Sequence, residues 1–272
     1  MAAVYVAHDL RHNAPVVFKV LYPQVAATIG AERFLQKTRV ISKLQHPNLL
    51  PLIDSGVLAG RDDDDLLWYA TPRISGETIR HRLGWELQLG VNDAIDVARQ
   101  LADALEYAHR RDVAHGDIKS ESVTVSRGQV FLGDLGIAEA AREDAPDAPP
   151  FEKADDVYAL ASLLYEMLAG VPPAAASPTE SVPPIHRLRD NVPPQVDEAL
   201  ARALSTDADD RFDTPAAFAA ALSSDGVAPV MASPRREWFV WRPSLVFGIG
   251  GALLGLLAIF LFVRRPRHPA AP

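Results

Sequence analysis

No cysteine occurs in the 272 residues. That excludes disulfides and thiolate metal sites and leaves the redox compartment open. An excess of positive charge is also missing: 27 Lys and Arg stand against 35 Asp and Glu, for a net charge of −8. This balance argues against a general nucleic-acid binder. The opening residues, MAAVYVAHDLRHN, lack a basic start followed by an apolar core, so no signal peptide is visible. The loop at residues 61–65 carries four aspartates. It has neither EF-hand spacing nor a Gly-x5-Glu, which makes it a solvated loop and not a Ca²⁺ site.

What remains is ordinary for a globular body, at 48% apolar and 23% charged residues, with length for one large or two smaller domains. One run stands apart. Residues 245–263, LVFGIGGALLGLLAIFLFV, hold 19 positions without a charge. As a helix they extend about 28 Å, close to the thickness of a bilayer core. Trp238, Phe239 and Trp241 precede the run like an interfacial belt. It reads as a single transmembrane helix, because a buried globular helix seldom runs so far without a polar residue. Three arginines flank each side (235, 236, 242 and 264, 265, 267), so the positive-inside rule fixes no orientation. Gly251 and Gly255, with Gly248 one turn earlier, have the small-xxx-small spacing that lets two helices approach closely. A homodimer through these glycines is compatible with that pattern. Residues 226–243 read as a Pro/Ser/Arg-rich linker, and residues 264–272 as a short tail.

Chemistry gathers in residues 115–136, HGDIKSESVTVSRGQVFLGDLG. Two β-branched runs, 123–125 and 130–132, flank Arg127-Gly128 and predict a small hairpin. Asp117 precedes the first run and Asp134 follows the second, so closing the hairpin brings two carboxylates together. Lys119 would point to the same side as Asp117. Two carboxylates and an ammonium at one mouth suit Mg²⁺ and phosphate oxygens.

This stretch resembles the catalytic loop, His-Arg-Asp-x-Lys-x-x-x-Asn, and the metal-binding Asp-Phe-Gly of protein kinases. The resemblance runs to about Ala221 and points to bacterial membrane-anchored serine/threonine kinases. It implies an α+β, bilobal kinase-like fold over residues 1–225, with a strand-rich lobe at 1–72 and a helical lobe at 77–225, and a cytoplasmic location for that body. It implies ATP and Mg²⁺ as cofactors. Asp117 would be the catalytic base, Lys119 its partner, and Asp134 the main Mg²⁺ ligand. Ser122 would occupy the second metal position. Lys19, the lone charge in a predicted strand at 16–21, would contact the ATP phosphates. Thr71 falls at the gatekeeper, and backbone groups near Arg73 would meet adenine. Asp156 would anchor the catalytic loop, and His115 would be structural.

Strands are also predicted at 3–7, 49–53 and 66–70, and helices at 32–44, 77–83, 93–110 (capped by Asn92), 155–168, 195–204 and 215–222. Several kinase features are lacking. Gly116, Ser122 and Leu135 replace Arg, Asn and Phe. The glycine-rich loop would lie before residue 1, through either a late start or a real loss. The helix at 32–44 has Lys37 where the family carries the Glu that pairs with the strand lysine. Two lysines repel, so this helix is expected to sit outward or to be held by other contacts. No Ala-Pro-Glu appears, and no Ser or Thr lies between Gly136 and Asp156. Phosphorylation of that segment is therefore excluded, and the missing Arg at 116 is the residue that would hold such a phosphate. Residues 171–194 hold seven prolines and read as loop where the family has another helix. Arg211 lacks its usual acid, with Glu152 the nearest replacement by position. Two readings stay open. One is a membrane-tethered pseudokinase that binds a cytoplasmic or membrane protein partner. The other is an active serine/threonine kinase. A small-molecule phosphotransferase on the same fold is a distant third.

Overall fold

Apolar residues near the start form a hairpin. β1 (Ala2–Asp9) pairs antiparallel with β2 (Ala14–Leu21), from Ala2↔Leu21 to Asp9↔Ala14. The computed structural model describes residues 2–59, 65–142, 153–173 and 182–223. β3 (Asp54–Ala59) and β4 (Asp65–Pro72) complete a four-stranded antiparallel sheet in the order β1-β2-β4-β3. The order sets β2 beside β4, with Lys19 opposite Tyr69 and Val17 opposite Thr71. Side chains alternate along a strand, so these four share one face. On the other face Phe18 and Trp68 stack, with ring centroids 4.9 Å apart. Gly56 makes room for that indole, since a Cβ there would stand 2.8 Å from its ring.

Two helices pack on the Lys19 side. α1 (Pro23–Ile29) opens with proline at its first position, where the missing N–H costs nothing. Gly30, at φ 75°, ends α1 and starts α2 (Ala31–Ile41). Phe34 and Ile41 of α2 are buried against Leu67 and Tyr69 of β4. Thr38 ties α2 to β3, accepting from Ser55 Oγ at 2.9 Å while donating to the Phe34 carbonyl.

The helical half follows. β5 (Glu77–Thr78) leads into α3 (Ile79–Glu86), which the Thr78 hydroxyl caps by accepting from His81 N. α4 (Val91–His109) buries Ala94, Val97, Ala98, Leu101, Leu105 and Ala108, the face its period predicts. Each of its fully buried leucines contributes about 1.5–3 kcal/mol through removal from water. β6 (Val123–Ser126) and β7 (Gln129–Leu132) form the expected hairpin. Its two linking residues, Arg127 and Gly128, have φ of 51° and 80°, the left-handed pair of a type I′ turn. α5 (Ile137–Arg142), α6 (Lys153–Ala169), α7 (Pro194–Ala203) and α8 (Pro215–Ala221) complete the described elements, with single 3₁₀ turns at Ile185–Arg187 and Ala208–Asp210. α6 is buried nearly throughout, from Asp156 to Leu168, and packs against α4, α7 and α8. All described residues belong to one compact unit, residues 1–227.

Three expectations are corrected. The run at 49–53 is not a strand. Pro51 interrupts it, and Leu49 and Leu50 serve β7 instead, Leu50 N donating to the Leu132 carbonyl at 2.8 Å. The strand begins at Asp54. Asn92 does not cap α4; Gly90 holds that position and Asn92 lies inside the first turn. Glu77 and Thr78 are strand and not helix, because they pair with Val125 and Thr124. α1 was not anticipated. Among the described residues no helix is long and apolar enough to cross a membrane. The predicted span at 245–263, its glycines, the linker and the tail lie outside the described residues.

Candidate active site

β2 presents Lys19 and the hairpin presents Asp134, and the two meet. Lys19 Nζ donates to Asp134 Oδ1 at 2.5 Å and to Oδ2 at 2.7 Å. Tyr69, opposite Lys19 on β4, adds a third bond, its hydroxyl donating to Asp134 Oδ1 at 2.7 Å. Asp134 itself has φ 63°, a left-handed conformation that Asp tolerates better than most residues. Burial works to raise the Asp134 carboxyl. The charge of Lys19 and the hydrogen bonds from Lys19 and Tyr69 outweigh it and hold the carboxyl below the usual range. The Tyr69 phenol is pushed well above its usual range, first by burial, then by the charge and hydrogen bond of Asp134, then by the charge of Asp117. Tyr69 carries no signal of its own in the sequence. Its only clue is register, since it lies directly across from Lys19.

The loop before the hairpin is held from behind. Asp156, wholly buried on α6, accepts from His115 N at 2.7 Å, Gly116 N at 3.0 Å and His109 Nε2 at 2.8 Å. His115 then spans the hairpin, its Nε2 bonded to the Gly133 carbonyl at 2.8 Å and its Nδ1 accepting from Asp117 N at 3.2 Å. This fixes the backbone on which Asp117 and Lys119 stand. Those two side chains pair with one another at the partly exposed mouth. The charge of Asp117 contributes, as the smallest cause, to the rise of the Tyr69 phenol.

The remaining predicted site residues are less available. Ser122 is buried, and its hydroxyl turns back on the loop, donating to the Lys119 carbonyl at 2.8 Å and accepting from Lys119 N at 3.1 Å. One lone pair is left over. Arg73 N donates to the Pro15 carbonyl at 3.2 Å, so only its carbonyl is left for a base. Thr71 is buried, and its hydroxyl has no hydrogen-bond partner among the described residues. A buried hydroxyl without a protein partner is a group that an ordered water or a ligand would satisfy.

The α2 position expected to repel Lys19 is satisfied elsewhere. Lys37 Nζ pairs with Glu139 of α5 at 2.6 Å. Gly116 gains a steric explanation beyond the lost phosphate contact. At φ 84° a Cβ there would stand 2.7 Å from Glu139 N, so no side chain fits while α5 lies against the loop. Arg211 meets Asp155 Oδ1 at 4.0 Å and stacks on the Tyr158 ring at 4.6 Å. Glu152, its expected partner, lies outside the described residues. Among the described residues no cluster of three or more His, Cys, Asp or Glu stands ready for a metal.

Residues 1–212 match the family model of the protein kinase domain. The chain is 31% identical over 242 residues to the serine/threonine-protein kinase PknI of Mycobacterium tuberculosis, covering 84% of this chain and 40% of that protein. It is 28% identical over 263 residues to PknB of Mycolicibacterium smegmatis, covering 84% of this chain and 42% of the relative. This chain thus spans well under half the length of these relatives. Among solved structures, the PknI kinase domain of Mycobacterium tuberculosis superposes with a TM-score of 0.68 at 30% identity, covering 82% of this chain and 90% of that one.

Proposed function

The chain belongs to the protein kinase family, and we propose that its folded body is a nucleotide-binding regulator, tethered to a membrane through residues 245–263, in which phosphoryl transfer to protein is weak or absent. The observation that carries this reading is the pair of hydrogen bonds from Lys19 to Asp134, at 2.5 and 2.7 Å. A phosphate-binding lysine and a metal-binding carboxylate are both retained, and they neutralise one another at rest. The residues present fit ATP and Mg²⁺. Asp134, with Ser122 in a lesser part, would hold the metal, Lys19 the phosphates, and Thr71 with the Arg73 carbonyl the base. Bound Mg²⁺ would supply charge neutralisation at the phosphate oxygens. Occupation requires Lys19 and Tyr69 to release Asp134, which weakens binding and fits a regulator better than a fast enzyme.

The distribution of losses also favours a regulator. No acid on α2 aligns Lys19, and α5 lies on the catalytic loop at Gly116. Phosphoryl transfer is mostly positioning and charge stabilisation, so each 1.36 kcal/mol of lost alignment costs about tenfold in rate. The partner would be a cytoplasmic or membrane protein.

A second reading is an active serine/threonine kinase. It is favoured by the intact support of Asp117, whose backbone is fixed by His115 and Asp156. The two readings separate with the full chain in detergent. Mg²⁺-ATP should raise its melting temperature, and Lys19→Ala and Asp134→Ala should each abolish the shift. Incubation with γ-labelled ATP should leave protein with little or no label. Near-stoichiometric label transfer that disappears in Asp117→Ala would establish the enzyme and remove the regulator reading.

A further inference from the structure

Three observations outside the Lys19–Asp134 pair converge on α5. First, Lys37 of α2 and Glu139 of α5 pair at 2.6 Å, with their side chains 16% and 12% exposed. Second, Gly116 has φ 84°, and a Cβ there would stand 2.7 Å from Glu139 N and 3.2 Å from its Cα. Third, Gly136, at φ 72°, brings the start of α5 close to α2, where a Cβ would stand 3.1 Å from Ile41 Cδ1 and 3.4 Å from Lys37 Cε. Glycine at both contacts lets backbone approach where a side chain would be strained and crowded. The seat of α5 is therefore written into the sequence at two positions without side chains and one ion pair.

We infer that Lys37 and Glu139 are a charge-reversed tether, a pair of positioning residues that joins α2 to the catalytic loop through α5. In the kinase pattern α2 offers an acid to the strand lysine. Here α2 offers a cation, its carboxylate partner comes from the segment after Asp134, and Lys19 takes Asp134 as its own carboxylate. The tether and the occupation of Asp134 form one arrangement: the helix position that would draw Lys19 off Asp134 carries the wrong sign, and Glu139 of the seated α5 holds that cation instead. The tether stands on geometry alone. Only its effect on nucleotide binding rests on the function proposed above.

The test is a charge-swap cycle in the full chain in detergent: Lys37→Glu, Glu139→Lys, and the double variant. Each single change sets like charges together, and each should lower the melting temperature by roughly 4–8 °C. The double variant should recover more than half of that loss, and amides of residues 138–142 should exchange at least tenfold faster in the singles than in the double. A double variant that melts at or below the sum of the singles overturns the tether. If a charge reversal fails to fold, Lys37→Met and Glu139→Gln replace it. They should then lower the melting temperature by equal amounts that do not add, and full additivity overturns the pair. Mg²⁺-ATP affinity provides a separate arm. Lys37→Glu supplies α2 with an acid and should tighten binding at least fivefold over the unaltered chain. Unchanged affinity beside an intact swap rescue overturns the link to Asp134. Absence of binding in every variant counts against nucleotide binding itself and leaves the tether supported.

Discussion

Substituting alanine at Gly116 tests whether α5 is truly seated on the catalytic loop, and Gly128→Ala is its built-in control. The two glycines have nearly the same backbone, φ 84° and 80°. An L-residue in this region costs about 1–2 kcal/mol at either site. The surroundings differ. At Gly128 an added Cβ meets nothing within 4 Å, whereas at Gly116 it lies 2.7 Å from Glu139 N, 3.2 Å from Glu139 Cα and 3.3 Å from the Ala138 carbonyl carbon. Every one of those is backbone, which cannot swing aside as a side chain can. α5 has to shift, and the Lys37–Glu139 pair stretches with it. Breaking a fully buried pair costs about 3–5 kcal/mol, and the partial exposure here reduces that to about 2 kcal/mol. In a body of this size the two variants should then melt roughly 4–8 °C apart, with Gly116→Ala the lower. Differential scanning calorimetry of the full chain in detergent makes the comparison. Equal melting temperatures would refute the seat, because the backbone penalty alone would then account for both.

Other outcomes follow from the same contacts. Asp156→Ala removes three hydrogen bonds at 2.7–3.0 Å and leaves two loop N–H groups buried, which should cost about 3–5 kcal/mol and be read as a loss of cooperative melting near physiological temperature. Asp134 has a depressed carboxyl, so its contribution is fully present above the unfolded value of about 3.9 and is lost as pH falls through the folded value. Asp134→Asn should flatten the acid limb of stability below about pH 4, and an unchanged acid limb would contradict the Lys19 pairing. Tyr69 has the opposite sign: its raised phenol contributes below about pH 10 and loses that contribution as pH rises through the folded value. Burial also raises the Tyr165 phenol, so ultraviolet titration should show more than one delayed tyrosine, and the last to ionise should vanish in Tyr69→Phe.

Much of the fold is legible wherever a local rule decides it. The hairpin at 123–132 follows from β-branched runs around Arg127-Gly128, and the buried face of α4 follows from its period. The meeting of Lys19 with Asp134 was readable only through the kinase resemblance, because 115 residues separate them. Where local rules compete with tertiary demands the sequence misleads. Leucines at 49 and 50 have strand-like character, but they bond to β7 across the chain, and Pro51 ends the run. α1 hides behind an ordinary Pro23, whose value as a first helical residue shows only once Gly30 is seen to end that helix and begin the next. Gly116 looks like the simple loss of an arginine. Its positive reason, the approach of Glu139, depends on a helix whose place is set by Lys37 and Gly136. Tyr69 was missed because an aromatic in a buried strand reads as core, although its register opposite Lys19 puts it on the site's face.

The most direct test of the central claim is a calorimetric titration of Mg²⁺-ATP into the full chain, repeated with Lys19→Ala and Asp134→Ala. The account predicts saturable binding to the unaltered protein and at least a tenfold loss in each variant, because both halves of one pair have to be redeployed on the nucleotide. Binding that persists unchanged in both variants would contradict it.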